Sequence, residues 1–269
     1  MSTSSLAILA AAVLVALAAS SCASLRDRVN YWTTPAPEYT VERANPKCLP
    51  DLSCDWESPA WDGVKGQSLT FVFHRSEFKK ARITFRLLYD DNYIYGIFQG
   101  SDRFVTATHL RDDSMVCRDT CVEAFIMPSP KGFINTEMSI AGTRLFQLRP
   151  WDPQANEGKG GYPSKPFPPG IAEQCKVASS LTKLDTLKSR TINPEITGGL
   201  VWMVEFRIPI KAFETLMEKP GPIAGQTWRA NFYHCAEYSS HRRWMAWAPV
   251  PILNFHTPQY FANITFAEK

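Results

Sequence analysis

Short apolar or alternating runs, bounded by Gly, Pro, Asn or Asp, recur along the chain from about residue 54 onward. They are SLTFVF (68–73), ARITFRLLY (81–89), YIYGIFQG (93–100), CVEAFIM (121–127), INTEMSI (134–140), TRLFQL (143–148), LVWMVEFRIPI (200–210), TWRANFYHC (227–235) and ANITF (262–266). Period-two alternation marks half-buried strands, and β-branched and aromatic residues favour them. KAFETLM (211–217) is the best short helix. Runs of this number and spacing predict an all-β fold over residues 51–269. The expected form is a single antiparallel β-sandwich, jelly-roll-like, with one or two short helices.

One run breaks its own pattern. In CVEAFIM, Cys121, Glu123, Phe125 and Met127 share one face of a strand and Val122, Ala124 and Ile126 the other, so both faces are apolar except at Glu123. An ionised carboxylate buried there costs several kcal/mol unless something pairs with it. If 121–127 forms a hairpin with 133–139 through PSPKG, opposite residues sum to about 260, and Glu123 faces Glu137. Asn135 and Ser139 lie on the same face. Two opposed carboxylates destabilise a sheet, so this register calls for a third group.

Charge and the N-terminus narrow the context. The net charge of +3 comes from 29 basic and 26 acidic residues with no basic run, which excludes a nucleic-acid footprint. Leu6 to Ala19 is unbroken apolar sequence running into AASSC. It is too short to span a bilayer comfortably and looks like a bacterial lipoprotein signal. The expected division is a signal peptide over 1–21 and a lipid-anchored tether over 22–50 that starts at lipidated Cys22, placing the protein in the cell envelope. Without Cys22, the seven cysteines leave six, an even number suited to disulfides in an oxidising compartment. Cys48 and Cys54 flank a turn-prone segment. Cys117 and Cys121 are too far apart to pair if both lie on an extended strand. No CxxC occurs, which argues against a structural zinc site.

Several groups could sit between the two carboxylates. An arginine from a neighbouring strand, Arg82, Arg86 or Arg144, would make the pair structural. A glycosidase would use Glu123 and Glu137 as its two carboxylates. Calcium is possible from Asp90, Asp91, Asp102, Asp112, Asp113 and Asp119, although their spacing follows no recognised loop; no other metal or cofactor is expected. A polar ligand held by carboxylates and amides, with aromatic rings over its apolar surface, fits the face best, and sugars have that dual character. The Gly- and Pro-rich stretch 149–174 is long enough to be a binding loop.

Six blocks, RLLYDDNYIYGIFQGSD (86–102), RDTCVEAFIMP (118–128), VEFRIPIKAF (204–213), GQTWRANFYHC (225–235), WMAWAPV (244–250) and FHTPQYFANITF (255–266), resemble in order the family 9 carbohydrate-binding module and its stand-alone bacterial relatives, over about residues 56–268. The resemblance implies a noncatalytic sandwich that binds an oligo- or polysaccharide and is linked to polysaccharide breakdown. It implies that Glu123 bonds the sugar and that Phe255, followed by His256, supplies the C-terminal ring of an aromatic sandwich. Where a Trp usually stands before the Glu, this chain has Cys117, so the partner ring has to come from Trp151 or Tyr162. Ala262 also replaces a usual Gly. Glu137 and Asn135 complete the expected site. Trp56, Trp61, Trp244 and Trp247 read as packing residues. The DOMON-like relatives of the sandwich imply haem as a rival ligand, with His74, His109, His234, His256, Met115, Met127 and Met138 as available axial groups.

Overall fold

In the computed structural model, which describes residues 25–152, 164–183 and 191–268, the alternating runs find partners in a curled, antiparallel-rich sheet folded onto itself. Its strands are β1 (Glu38–Arg43), β2 (Gln67–Ser68), β3 (Phe71–Val72), β4 (Arg82–Tyr89), β5 (Tyr93–Asp102), β6 (Val105–Ala107), β7 (Thr120–Ser129), β8 (Gly132–Ser139), β9 (Arg144–Pro150), β10 (Lys165–Pro166), β11 (Lys176–Ser179), β12 (Ile192–Ile196), β13 (Leu200–Pro209), β14 (Thr227–Ala236), β15 (Arg243–Ala246) and β16 (Ala262–Phe266). The order is β10-β9-β8-β7-β14-β16-β1-β4-β5-β13-β11, with β15 beside β14 and β3 beside β15, β2 beside β4, and β6 with β12 as a separate ribbon. β1 joins the two layers of the sandwich. Glu38 to Val41 run parallel to β16, and Glu42 and Arg43 run parallel to β4.

The interior between the layers is aromatic. Phe85 of β4 stacks on Phe232 of β14 with ring centroids 4.0 Å apart, and Trp247 meets Phe85 edge-on at 5.8 Å. From β7 come Val122, Ala124 and Ile126, and from β13 Trp202, Val204, Phe206 and Ile208. Both outer faces are covered as well. Trp56 and Trp61 pack over Leu88, Tyr95 and Ile97, while Phe255 and Phe261 from the C-terminal loops cover Phe125, Phe133 and Tyr233. This double coverage explains why β7 is apolar on both faces.

A buried ion pair fastens the layers together. Asp102, at the end of β5, bonds Arg243 of β15; Arg243 Nε donates to His234 at 3.1 Å, and both ionic side chains are fully buried. Burial pushes the Asp102 carboxyl up, but His234 and Arg243 together hold it below the ordinary carboxylate range. His234 is pushed down by burial and stays neutral.

The structure corrects two sequence expectations. The polar segment 22–50 is not simply a tether. Residues 25–33 form a helix, where Asp27 accepts the His74 amide at 2.7 Å and Tyr31 meets Tyr260 edge-on, and β1 lies within the sheet. Only Tyr39 and Val41 alternate there, too short a pattern to stand out among polar neighbours. No disulfide joins the described cysteines: Cys48 is half-buried, whereas Cys54 is buried with its amide on Glu205 of β13 at 2.7 Å. Of the expected helix 211–217, residues 211–216 fall in a 3-10 helix, Ile210–Leu216, and Met217 caps it. Residues 1–24, including Cys22, and 153–163, including Tyr162, lie outside the described residues.

Two glycines make room for the largest aromatics of β13. Gly96 and Gly100 of β5 face Phe206 and Trp202 across the ladder, and a Cβ at either position would overlap the opposing ring. Gly96→Ala and Gly100→Ala should each lose about 1–3 kcal/mol of stability in urea unfolding, the usual range for overpacking. Gly198→Ala, which meets nothing within 4 Å, should leave the transition within about 0.5 kcal/mol of wild type. Equal transitions for all four proteins would contradict this packing.

Candidate functional site

β7 lies between β8 and β14, and the two registers assemble the site. Glu123 faces Glu137 on β8 and Tyr233 on β14; Cys121 faces Ser139 and Cys235; Phe125 faces Asn135 and Asn231. The hairpin pairing expected from the sequence is therefore present from Cys121 to Ile126, and the ladder shifts only at the turn, before Ser129 meets Gly132. On the outer face of these strands Glu123 is 2% exposed and Glu137 4% exposed.

A cavity of about 160 Å³ opens over them, lined by Cys117, Glu123, Glu137, Cys235, Glu237, Trp244, Leu253, Phe255 and His256. Each wall is held from behind. Phe255 lies flat on Tyr233 at 4.0 Å, and the Tyr233 hydroxyl donates to the Phe255 carbonyl at 3.2 Å. His256 tilts over Phe125 at 5.1 Å. Trp244 lies on β15 between Arg243, bound in the ion pair, and Met245, buried in the core, so alternation turns its ring outward.

The polar groups of the cavity are only partly satisfied. Glu137 accepts the Asn135 amide at 3.2 Å through Oε1. Glu137 Oε2, Asn135 Oδ1 and His256 Nδ1 are buried without a hydrogen-bond partner. Burial first, and then the neighbouring Glu137, push the Glu123 carboxyl well above the ordinary carboxylate range. Burial raises Glu137 too, partly offset by the Asn135 amide and the charge of Arg149. His256 is pushed down to about 3 by burial and then by Arg149, and is neutral.

The three arginines expected between the carboxylates are engaged elsewhere. Arg86 bonds the Trp56 carbonyl and Arg144 the Cys175 carbonyl, while Arg82 pairs with Ser101 in the other layer. Arg149, at the end of β9, is the cation whose charge reaches Glu137. It was missed because its register depends on β8 pairing with β9 rather than on any local motif.

Of the expected site residues, Glu123, Glu137, Phe255 and His256 meet at one cavity, and Asn135 supports Glu137 from beside it. Trp151 packs against the same outer aromatic cluster but does not line the cavity. Trp244 packs against that cluster, as expected, and also lines the cavity, opposite Cys235 of β14. A larger hollow of about 520 Å³ lies where β4, β5 and the end of β13 meet residues 221–224. Two of its three acids already have partners, Asp91 with Arg43 at 2.6 Å and Asp90 with Tyr95 at 2.9 Å, whereas the smaller cavity holds two buried, facing carboxyls and is the better candidate.

Comparison with known proteins agrees with this architecture. The profile of the family described as carbohydrate-binding family 9 matches residues 63–266. Among solved structures, a protein of Bacteroides uniformis ATCC 8492 proposed to bind carbohydrate is 22% identical with a TM-score of 0.69, covering 86% of this chain and 100% of its own. A family 9 carbohydrate-binding module of Caldicellulosiruptor kristjanssonii is similar in two structures, each 15% identical and covering 87% of this chain. Its complex with cellotriose has a TM-score of 0.54 with 95% of that chain covered, and its complex with glucose 0.56 with 97% covered. At such identities the likeness is one of fold. No curated protein matches the chain.

Raised carboxyl pKa values give stability a definite pH trend. A carboxyl that holds its proton more tightly when folded favours the native state most at low pH, and that advantage is lost as pH rises from about 4.3 through the raised value. Glu123→Gln should therefore gain thermal stability relative to wild type as pH rises from about 5 to about 8 in chelator-treated buffer, by at most about 1.4 kcal/mol per pH unit for one proton, while the depressed His234 and His256 shape both profiles alike. Parallel pH profiles for the two proteins would show that Glu123 is not the group responsible.

Proposed function

Because the chain belongs to carbohydrate-binding family 9, we propose that it binds a saccharide in the cavity between β7, β8, β14 and the C-terminal loop, without catalysing a reaction. The observation that carries this reading is the state of Glu123 and Glu137. Two facing carboxyls with an unpartnered, buried Glu137 Oε2 line a cavity with an indole and a phenyl ring in its walls. A sugar offers hydroxyls that both donate and accept, together with an apolar ring face. It would bond Glu137 Oε2 and His256 Nδ1, and protonated Glu123 could itself donate. The complexes of the Caldicellulosiruptor module with glucose and cellotriose support a saccharide as the ligand class.

The cavity also limits what can enter. At about 160 Å³ it is smaller than the roughly 300–1,000 Å³ of sites that enclose drug-sized ligands. It suits one sugar unit entering end-on, with the rest of a chain directed outward past Glu237 and Trp244. The N-terminal apolar run and Cys22 extend the proposal to an exported, lipid-anchored protein that holds saccharides at the cell envelope during polysaccharide breakdown.

Calorimetric titration with a panel of neutral and acidic mono- and oligosaccharides tests the reading. Saturable binding should weaken about tenfold or more, ~1.4 kcal/mol, in both Trp244→Ala and Phe255→Ala. Trp151→Ala should retain most of the affinity. Unchanged affinity in the first two variants would remove the ligand from this cavity, and no binding to any member of the panel would sink the saccharide reading.

A further inference from the structure

The cavity floor holds two thiols that sugar binding does not use. Cys121, Cys235 and Glu123 each present a ligand atom, and these atoms lie within 4.8 Å of one another in a fully buried group. The Cys121 thiol approaches Glu123 Oε1 at 3.8 Å. Cys121 and Cys235 are directly opposed on β7 and β14, so the strands themselves fix the spacing of the two sulfurs. A third thiol, Cys117, and the unpartnered Glu137 Oε2 line the cavity immediately above.

We propose that Cys121, Cys235 and Glu123 bind a thiophilic divalent cation, of which zinc is the type case, at the floor of the cavity. Metal–sulfur bonds of about 2.3 Å and metal–oxygen bonds of about 2.0–2.2 Å in a tetrahedron place ligand atoms about 3.5–3.8 Å apart. The Cys121–Glu123 separation already matches this spacing, and small side-chain rotations close the rest. Two sulfurs favour zinc over calcium or magnesium, which take oxygen ligands. The fourth position faces the cavity, where Cys117, Glu137 or a water molecule can complete the shell. On binding, the two thiols and the protonated Glu123 carboxyl give their protons to solvent and become thiolates and a carboxylate.

Reduced, chelator-treated full-length protein titrated anaerobically with cobalt(II) and then zinc, with no saccharide present, tests the site separately from sugar binding. The expected result is one equivalent of cobalt with a thiolate-to-metal charge-transfer band, which zinc abolishes by displacement. X-ray absorption of the zinc form should show two sulfur neighbours at about 2.3 Å and lighter atoms at about 2.0–2.2 Å. Cys235→Ser and Glu123→Gln should weaken binding tenfold or more, and Cys175→Ser should leave it unchanged. Absence of the band, a zinc shell without sulfur, or binding indifferent to Cys235→Ser would overturn the proposal. Wild-type spectroscopy decides the matter even if a variant fails to fold.

Discussion

Glu123 can face Glu137 only because β7 is paired along both edges, with β8 on one side and β14 on the other. A slip of one residue on β7 would carry Glu123 into the interior beside Phe85 and Phe232 and place Val122 and Ala124 beneath the cavity. The interior forbids that slip, because an unpaired carboxyl among stacked rings would cost several kcal/mol. The same alternation that fills the core therefore places Cys121 and Glu123 on the outer face, with Tyr233 and Cys235 opposite them. Site and core are two readings of one register.

The ion pair between Asp102 and Arg243 extends this constraint to the second wall. Arg243 reaches across the sandwich from β15 to the end of β5, so β15 cannot rotate without leaving both charges buried and unpaired, a loss of about 3–5 kcal/mol. Its neighbour Trp244 is consequently fixed with its ring toward the cavity. On the opposite wall, Phe255 is held by Tyr233, whose own position follows from the β7–β14 pairing. Both ring-bearing walls, one on a strand and one in a loop, are thus set by buried interactions behind them.

Much of this was legible in the sequence, and the remainder shows where local patterns end. Long alternating runs such as 81–89, 121–127 and 262–266 became β4, β7 and β16, and the hairpin arithmetic placed Glu123 opposite Glu137. Short strands without sustained alternation, β1, β6, β11 and β15, were not visible, because their residues are chosen by neighbours far away in sequence. Trp244 reads as packing, and it does pack, but its place in the cavity wall was not visible for the same reason: its orientation is set by Arg243 and Asp102, which lie 141 positions apart. The encounter of Cys121 with Cys235 likewise depends on β14 lying beside β7, a choice of sheet order that spacing alone does not encode. The absence of CxxC argued against zinc only for ligands close together in sequence.

A pocket that keeps Glu137 Oε2, Asn135 Oδ1 and His256 Nδ1 without partners is costly to an empty protein, since each unsatisfied buried group opposes folding by about 1–3 kcal/mol. The aromatic interior and the inter-layer ion pair supply the stability that tolerates this cost. A ligand that satisfies those atoms recovers it, and because the walls are already held in place, little of its binding energy goes into ordering them. The polar atoms that weaken the free fold are thus the ones that give a bound hydroxyl or cation its advantage over water, and the geometry that selects the ligand is the same one that disfavours leaving the cavity empty.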